Sequence, residues 1–280
     1  MTELVAIAPI PLMDMLMHPE QPIWLALMHL MEDPFYGQFY QTASDHGHFV
    51  ILDNSQHEGF HYDIQNLVRV AETIGASEII LPDAIEDGRG TVDKAREAFA
   101  LMVLDRETHN TVEGLRPSFQ LVPHGKTVTE WIKCLHDLVA LYGKIKKSTP
   151  KLFTKPLTIG FPAQYAYNVF DQGDLLFVIT ELEFHAKKHG TNAHILGWDR
   201  SPWDHVPWLI ERFPFRSVDT SKMFSFALYE DEPYANRTRG SGFFERDFTQ
   251  TEILRARSYL REFKARILYA DNVRMMSDGG

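Results

Sequence analysis

Short apolar runs that stop abruptly at a polar or charged residue recur along this chain, and they constrain its fold more than any other feature. The candidate strands are Val5–Ala8, Phe49–Leu52, Ile79–Leu81, Ser118–Val122, Leu157–Gly160, His194–Leu196 and Ser217–Val218, with Phe224–Leu228 as an eighth. Such near-continuous apolar runs suit parallel strands buried on both faces. Amphipathic segments lie between them. Gln65–Ile74 sets Leu67, Val70, Ala71 and Ile74 on one face and stops at Gly75. Thr91 stands as a cap ahead of Val92, Ala95, Phe99 and Met102. Thr127 and Glu130 have capping-box spacing before Trp131, Leu135, Leu138 and Tyr142. Further helices are expected over Asp174–His189, closed by Gly190, and over Glu252–Leu268, while Lys144–Lys155 reads as a basic loop. Regular alternation of strand and helix predicts a parallel sheet with right-handed crossovers. About eight such units favour an α/β protein of the (β/α)8 TIM-barrel type. A single domain over residues 1–280 is expected, with a C-terminal helix at about 249–270. A doubly wound open sheet is the alternative, but neither G-x-G-x-x-G after a strand nor a P-loop is present.

The chain is 44% hydrophobic and carries a formal charge of -10, which argues against a protein that coats nucleic acid. Local basic surface remains open to it through Arg255, Arg257, Arg261, Lys264 and Arg266, preceded by Arg237 and Arg239. No apolar run approaches the roughly 18–20 residues of a membrane span, so no membrane partner is expected. Met1–Ile10 lacks a basic region followed by an apolar stretch, so no secretory signal is expected. The one cysteine, Cys134, excludes an internal disulfide and a multi-cysteine zinc site. It reads as a small core residue of a protein kept in a reducing cytoplasm.

In a (β/α)8 protein, functional groups project from the C-terminal ends of the strands. Those ends here are Asp53 and Asn54; Pro82 and Asp83; His124, Gly125 and Lys126; Gly160, Phe161 and Gln164; Gly197, Asp199 and Arg200; and Asp219, Thr220 and Ser221. An aspartate after a strand is most often a cap or turn residue. As a set, these residues describe a rim that holds a polar ligand.

The order of Leu52-Asp53-Asn54, Leu81-Pro82-Asp83, Leu121-Val122-Pro123-His124-Gly125-Lys126-Thr127 with Glu130-Trp131, Ile159-Gly160, His194-Ile195-Leu196-Gly197 and Arg216-Ser217-Val218-Asp219-Thr220-Ser221 resembles the queuine tRNA-ribosyltransferase (tRNA-guanine transglycosylase) superfamily. The opening Trp24-Leu25-Ala26-Leu27 to Tyr40 is similar to the phage-type branch that inserts 7-deazaguanine bases into DNA. The resemblance covers residues 5 to 240. It implies a pentosyltransferase that replaces guanine by a 7-deazaguanine derivative, such as 7-cyano-7-deazaguanine, through a covalent aspartyl-glycosyl intermediate. By resemblance, Asp219 is the nucleophile and Asp53 the general acid/base. Asp83 reads the donor edge of the base, with Asn54, His124 and the Gly160 backbone around it. By their places near strand ends, Lys126, Arg200 and Lys222 are candidates to meet phosphates, and Tyr165, Phe161 and Trp198 read either as rings that stack on the base or as core or lid packing. The partners implied are DNA, with tRNA as the alternative acceptor, and the free base; no metal and no cofactor are expected. A phage-encoded member works in the host cytoplasm.

The chain departs from that family in three places. One cysteine is incompatible with the zinc subdomain of the tRNA enzymes, which favours DNA. The family's Asp-Ser-Gly-Gly-Phe turn is replaced by Asp53-Asn54-Ser55-Gln56-His57-Glu58-Gly59-Phe60, and the glycine-rich loop after the fifth strand by Gly160-Phe161-Pro162-Ala163-Gln164. Two readings of other classes stand beside the transglycosylase. His57-Glu58-Gly59-Phe60-His61 matches the H-E-x-x-H of zinc hydrolases, which needs a helix to bring both imidazoles to one face. The other is a non-catalytic barrel that only binds nucleic acid.

Overall fold

The structure is a computed structural model that describes residues 1–16, 23–108, 117–198, 205–228, 243–244 and 246–278. Its elements run in the order β1 (Glu3–Ala6), β2 (Ile23–Leu27), α1 (Pro34–Asp45), β3 (Phe49–Asp53), α2 (Ile64–Ile74), β4 (Glu78–Ile80), α3 (Gly88–Thr108), β5 (Ser118–Leu121), α4 (Val128–Ser148), β6 (Thr158–Pro162), α5 (Tyr165–Asn168), α6 (Gln172–His189), β7 (Asn192–Leu196), α7 (His205–Ile210), β8 (Ser217–Thr220), α8 (Lys222–Leu228) and α9 (Gln250–Asp278). The strands are hydrogen-bonded in the order β1-β8-β7-β6-β5-β4-β3-β2. The pairings are parallel, with Val5 opposite Asp219, His194 opposite Ser217, Ile51 opposite Glu78, and Gln120 opposite Thr158. Eight parallel strands alternating with helices make this an α/β protein of the (β/α)8 TIM-barrel class.

Most expected strands stand within two residues of their places, but the eighth does not. Phe224–Leu228 is helical, as part of α8, and the missing strand is β2, Ile23–Leu27. The hydroxyl of Thr220 accepts the Lys222 backbone N–H at 3.0 Å, so β8 turns straight into a helix. β2 lies at one end of the strand order. Two buried tyrosines of α1 engage its backbone: Tyr40 donates its hydroxyl to the Leu25 carbonyl at 2.7 Å, and the Tyr36 hydroxyl accepts the Leu27 N–H at 2.9 Å. Burial pushes the ionisation of both phenols upward.

The helix signals were partly as expected. Asp63 caps α2 by accepting from Asn66 N–H at 2.7 Å, and Thr127 caps α4 by accepting from Glu130 N–H at 3.2 Å. Thr91 is not a cap. α3 begins earlier, at Gly88, and the Thr91 hydroxyl exchanges hydrogen bonds with the backbone of Ala84 at 2.9 and 3.0 Å. The expected 144–155 loop is helical to Ser148, and α9 runs to Asp278, well past its expected end.

The chain forms two compact units: Met1–Trp24 with Phe161–Asp171 and Ala193–Gly280, and Leu25–Gly160 with Gln172–Asn192. In the first unit, α9 packs on β1 and α8 through buried Ala256, Phe263, Ile267 and Ala270. Asp271 of α9 accepts from the Thr2 N–H at 2.5 Å and the Thr2 hydroxyl at 3.1 Å, and pairs with Arg274 at 3.2 Å. In the second unit, Trp131, Leu135 and Leu138 of α4 and Phe99 of α3 are fully buried.

Asp271 is buried, so its removal takes away the acceptor of the Thr2 N–H and the carboxylate that faces Arg274. Asp271→Ala should lower the unfolding free energy by about 3 kcal/mol in urea titrations, and Asp271→Asn by less. Equal stability of both variants and the parent would show that α9 does not anchor β1.

Candidate active site

The second unit carries a hydrogen-bonded group at the ends of β3, β4 and β5. Asp83 is buried, and its Oδ1 accepts from the Asn54 amide at 2.9 Å while its Oδ2 meets His124 Nε2 at 2.5 Å. The Glu86 backbone N–H points at His124 Nδ1 at 3.4 Å. Because that donor needs an acceptor, the ring proton sits on Nε2 and is given to Asp83. Asn54 also donates to the Leu81 carbonyl at 2.7 Å and accepts from Gln56 N–H at 2.8 Å, so both sides of its amide are engaged inside the protein. It braces Asp83, which still has lone pairs beyond the two in use.

The loops around this group are held tightly. A Cβ on Gly125 would lie 2.5 Å from the Trp131 nitrogen, and one on Gly88 would lie 2.7 Å from the His124 carbonyl oxygen. Only glycine lets the backbone at 125 lie against the first turn of α4 and the backbone at 88 lie against His124. Ser55 and Glu86 both adopt left-handed backbone, at φ 55° and 59°, a conformation that costs a non-glycine residue about 1 kcal/mol. Asp53 holds the first of them by accepting the Ser55 N–H at 2.8 Å. Asp53 itself is half-buried.

The first unit carries a second buried carboxylate, at the end of β8. Asp219 is 3% exposed. Its Oδ2 meets His194 Nε2 at 2.9 Å and its Oδ1 accepts the Gly197 backbone N–H at 2.8 Å. His194 Nδ1 meets the Ser217 hydroxyl at 2.7 Å, and Arg216 Nε reaches the same hydroxyl at 3.4 Å. Arg216 donates to the Ser217 hydroxyl, and a neutral His194 that gives its Nε2–H to Asp219 accepts from Ser217 at Nδ1. The chain of serine, histidine and aspartate is not a hydrolase triad. Its imidazole is reversed, with Nε2 on the carboxylate, and Ser217 and His194 are fully buried at the root of the strand. The network serves Asp219.

The other expected residues are placed as follows. Gly160 is buried within β6. Lys126 is exposed ahead of α4, and its backbone N–H donates to Glu130 Oε2 at 2.7 Å. Lys222 is not a surface cation. It is 6% exposed, with Nζ 5.3 Å above the Phe226 ring, because its stem packs in the core where α8 begins. Arg200 lies outside the described residues, as do Arg237 and Arg239. Phe161, Tyr165 and Trp198 are core residues: Tyr165 stacks on Phe170 at 4.9 Å and Trp198 packs edge-on against Phe263 at 4.6 Å. Cys134 is buried behind His124, and burial pushes its thiol up to about 11.

The H-E-x-x-H segment has no zincin geometry. Gln56–Glu58 is a single 3-10 turn, Gly59 follows at φ 86°, and His61 bonds to Gln56 Oε1 at 2.9 Å. Among the described residues these histidines join no metal-holding group.

Three features escaped the sequence reading. His194 is the partner of Asp219. Gln120, fully buried in β5, has neither amide atom paired among the described residues, which calls for water or a ligand. A ladder of rings stands beside the Asp53 loop, with Phe60 stacked on His29 at 4.8 Å and on Tyr62 at 6.2 Å. Phe60 is 44% exposed. No helix among the described residues is long and apolar enough to cross a membrane. No protein-family model matches the chain, and no curated protein matches it in sequence.

Removing either brace should be costly. Asn54→Ala should lower the unfolding free energy by about 1–3 kcal/mol and His194→Ala by about 2–4 kcal/mol, read from chemical denaturation. Losses under about 0.5 kcal/mol, the size of an ordinary surface change, would contradict the networks.

Proposed function

We propose that the protein is a base-exchange transglycosylase that replaces guanine in DNA by a 7-deazaguanine derivative. The reading is carried by one observation: Asp219 is a buried carboxylate at the end of β8 with both oxygens fixed by hydrogen bonds, on a fold whose strand ends host chemistry. One Asp219 oxygen attacks the sugar C1′ as the bond to guanine N9 breaks, giving an aspartyl-glycosyl intermediate. The charge of the oxocarbenium-like transition state is met by that carboxylate. Asp53 protonates the departing guanine, later takes the proton from the incoming base, and so returns to its starting state. The new base then attacks C1′ and displaces Asp219, with net retention.

Asp83 supports the reading as an acceptor for the amino and ring N–H donors of a guanine-like edge. His124 and Asn54 keep it in place, in a positioning role. Gln120 adds an unspent amide, and the Gly160 backbone a further polar contact. Phe60, 44% exposed within its ladder of rings, suits contact with a base that has left the stack. Lys126 is the described cation best placed for phosphate, being exposed at a strand end. DNA is preferred to tRNA because the single cysteine cannot build the zinc subdomain of the tRNA enzymes. Intact Asp219 and Asp53 favour an enzyme over a barrel that only binds.

Labelled 7-cyano-7-deazaguanine, incubated with the protein and either duplex DNA or tRNA, should enter DNA and appear as a labelled nucleoside after digestion. Label in tRNA alone would change the acceptor, and label in neither would remove the proposal. Asp219→Asn should abolish exchange, and Asp53→Asn should reduce it at least about a hundredfold with the fold intact. Phe60→Ala should leave stability within about 0.5 kcal/mol while raising KM for DNA, since base stacking contributes about 1–3 kcal/mol.

A further inference from the structure

We propose that His136, Glu181 and His185 form a binding site for one divalent transition-metal ion of the zinc class, which staples α4 to α6. The three side chains belong to one compact unit and place one ligand atom each within 4.8 Å of one another. Glu181 and His185 are one turn apart on α6, and His136 faces them from α4. His136 Nε2 lies 2.7 Å from Glu181 Oε2, and His185 Nε2 lies 4.0 Å from the same oxygen. Ligands on a tetrahedral zinc stand about 3.3 Å apart, so small side-chain rotations bring all three to bonding distance.

The second observation is His185 itself. It is 3% exposed, and neither ring nitrogen has a hydrogen-bond partner among the described residues. A buried imidazole with both nitrogens unmet is costly, and a metal ion on Nε2 answers half of that cost. His189, one further turn along α6, stacks its ring on His185 at 5.6 Å and steadies its plane. His136 is 49% exposed, which leaves ions a route in and an open position for water. Two imidazoles and a carboxylate suit zinc, cobalt or nickel over magnesium, which prefers oxygen ligands.

The site stands on helix faces and uses none of the residues assigned to base exchange. It pins α4, whose first turn follows directly on the His124–Lys126 loop, to α6. A zinc hydrolase is not implied, since the H-E-x-x-H residues take no part.

The test uses the full chain without an affinity tag, stripped with a chelator and titrated with zinc by calorimetry and with cobalt by visible absorption. One equivalent should bind, with a cobalt spectrum of nitrogen and oxygen ligands and a rise in Tm on adding zinc. His136→Gln and Glu181→Gln should each weaken binding about tenfold or more. His136→Gln should fold normally, because its side chain is half-exposed, and His57→Gln should bind as the parent does. Lack of stoichiometric uptake, uptake unchanged in both ligand variants, or loss of uptake in His57→Gln would each overturn the proposal.

Discussion

A buried carboxylate must be surrounded by donors or it destabilises the fold that holds it, and this protein meets that demand twice in the same way. Asp83 and Asp219 each take one hydrogen bond from a histidine Nε2–H and one from a second donor, the Asn54 amide or the Gly197 backbone. The tautomer of His124 is set by the Glu86 N–H on its Nδ1, and that of His194 by its Nε2 bond to Asp219, which leaves Nδ1 to the Ser217 hydroxyl. Neither arrangement needs a charged imidazole. The strained turns at Ser55 and Glu86, and the close approach of Gly88 to the His124 carbonyl, surround the Asp83 group.

The strands were legible because parallel strands buried on both faces are apolar throughout, and few other elements of that length are. Phe224–Leu228 shows the limit. Its run is nearly as apolar as β2, but the chain turns at once after β8, with the Thr220 hydroxyl accepting the Lys222 N–H and the Ser221 carbonyl accepting the Phe224 N–H, and continues as a helix. Ile23–Leu27 carries the same signal, but two of its backbone groups are met by tyrosines nine and fifteen residues further on, which a local reading does not see. α3 was shortened in the reading because Thr91 has cap chemistry, whereas the fold uses that hydroxyl to hold the Ala84 turn.

At the site, acidic residues after strands were visible as such, and Asp53, Asp83 and Asp219 all stand at or just past strand ends. Their partners were less visible. His194 lies inside a strand, where a histidine looks like any core residue until its register opposite Ser217 is known. Asn54 looks like a ligand-binding amide until its three hydrogen bonds are traced to the protein itself. Aromatic residues after strands carry no mark that separates stacking from packing: Phe161, Tyr165 and Trp198 are packed, and the exposed ring is Phe60. His136, Glu181 and His185 are 49 positions apart end to end, and only the pairing of α4 with α6 unites them.

The chemistry turns on whether Asp219 bonds to a sugar. The most direct measurement is the intact mass of the protein, acid-quenched after incubation with guanine-containing duplex DNA and no free base. The account predicts a protein–DNA adduct that maps to Asp219, with one guanine released for each adduct formed. An adduct on another residue, or steady base exchange with no adduct on any residue, would contradict it.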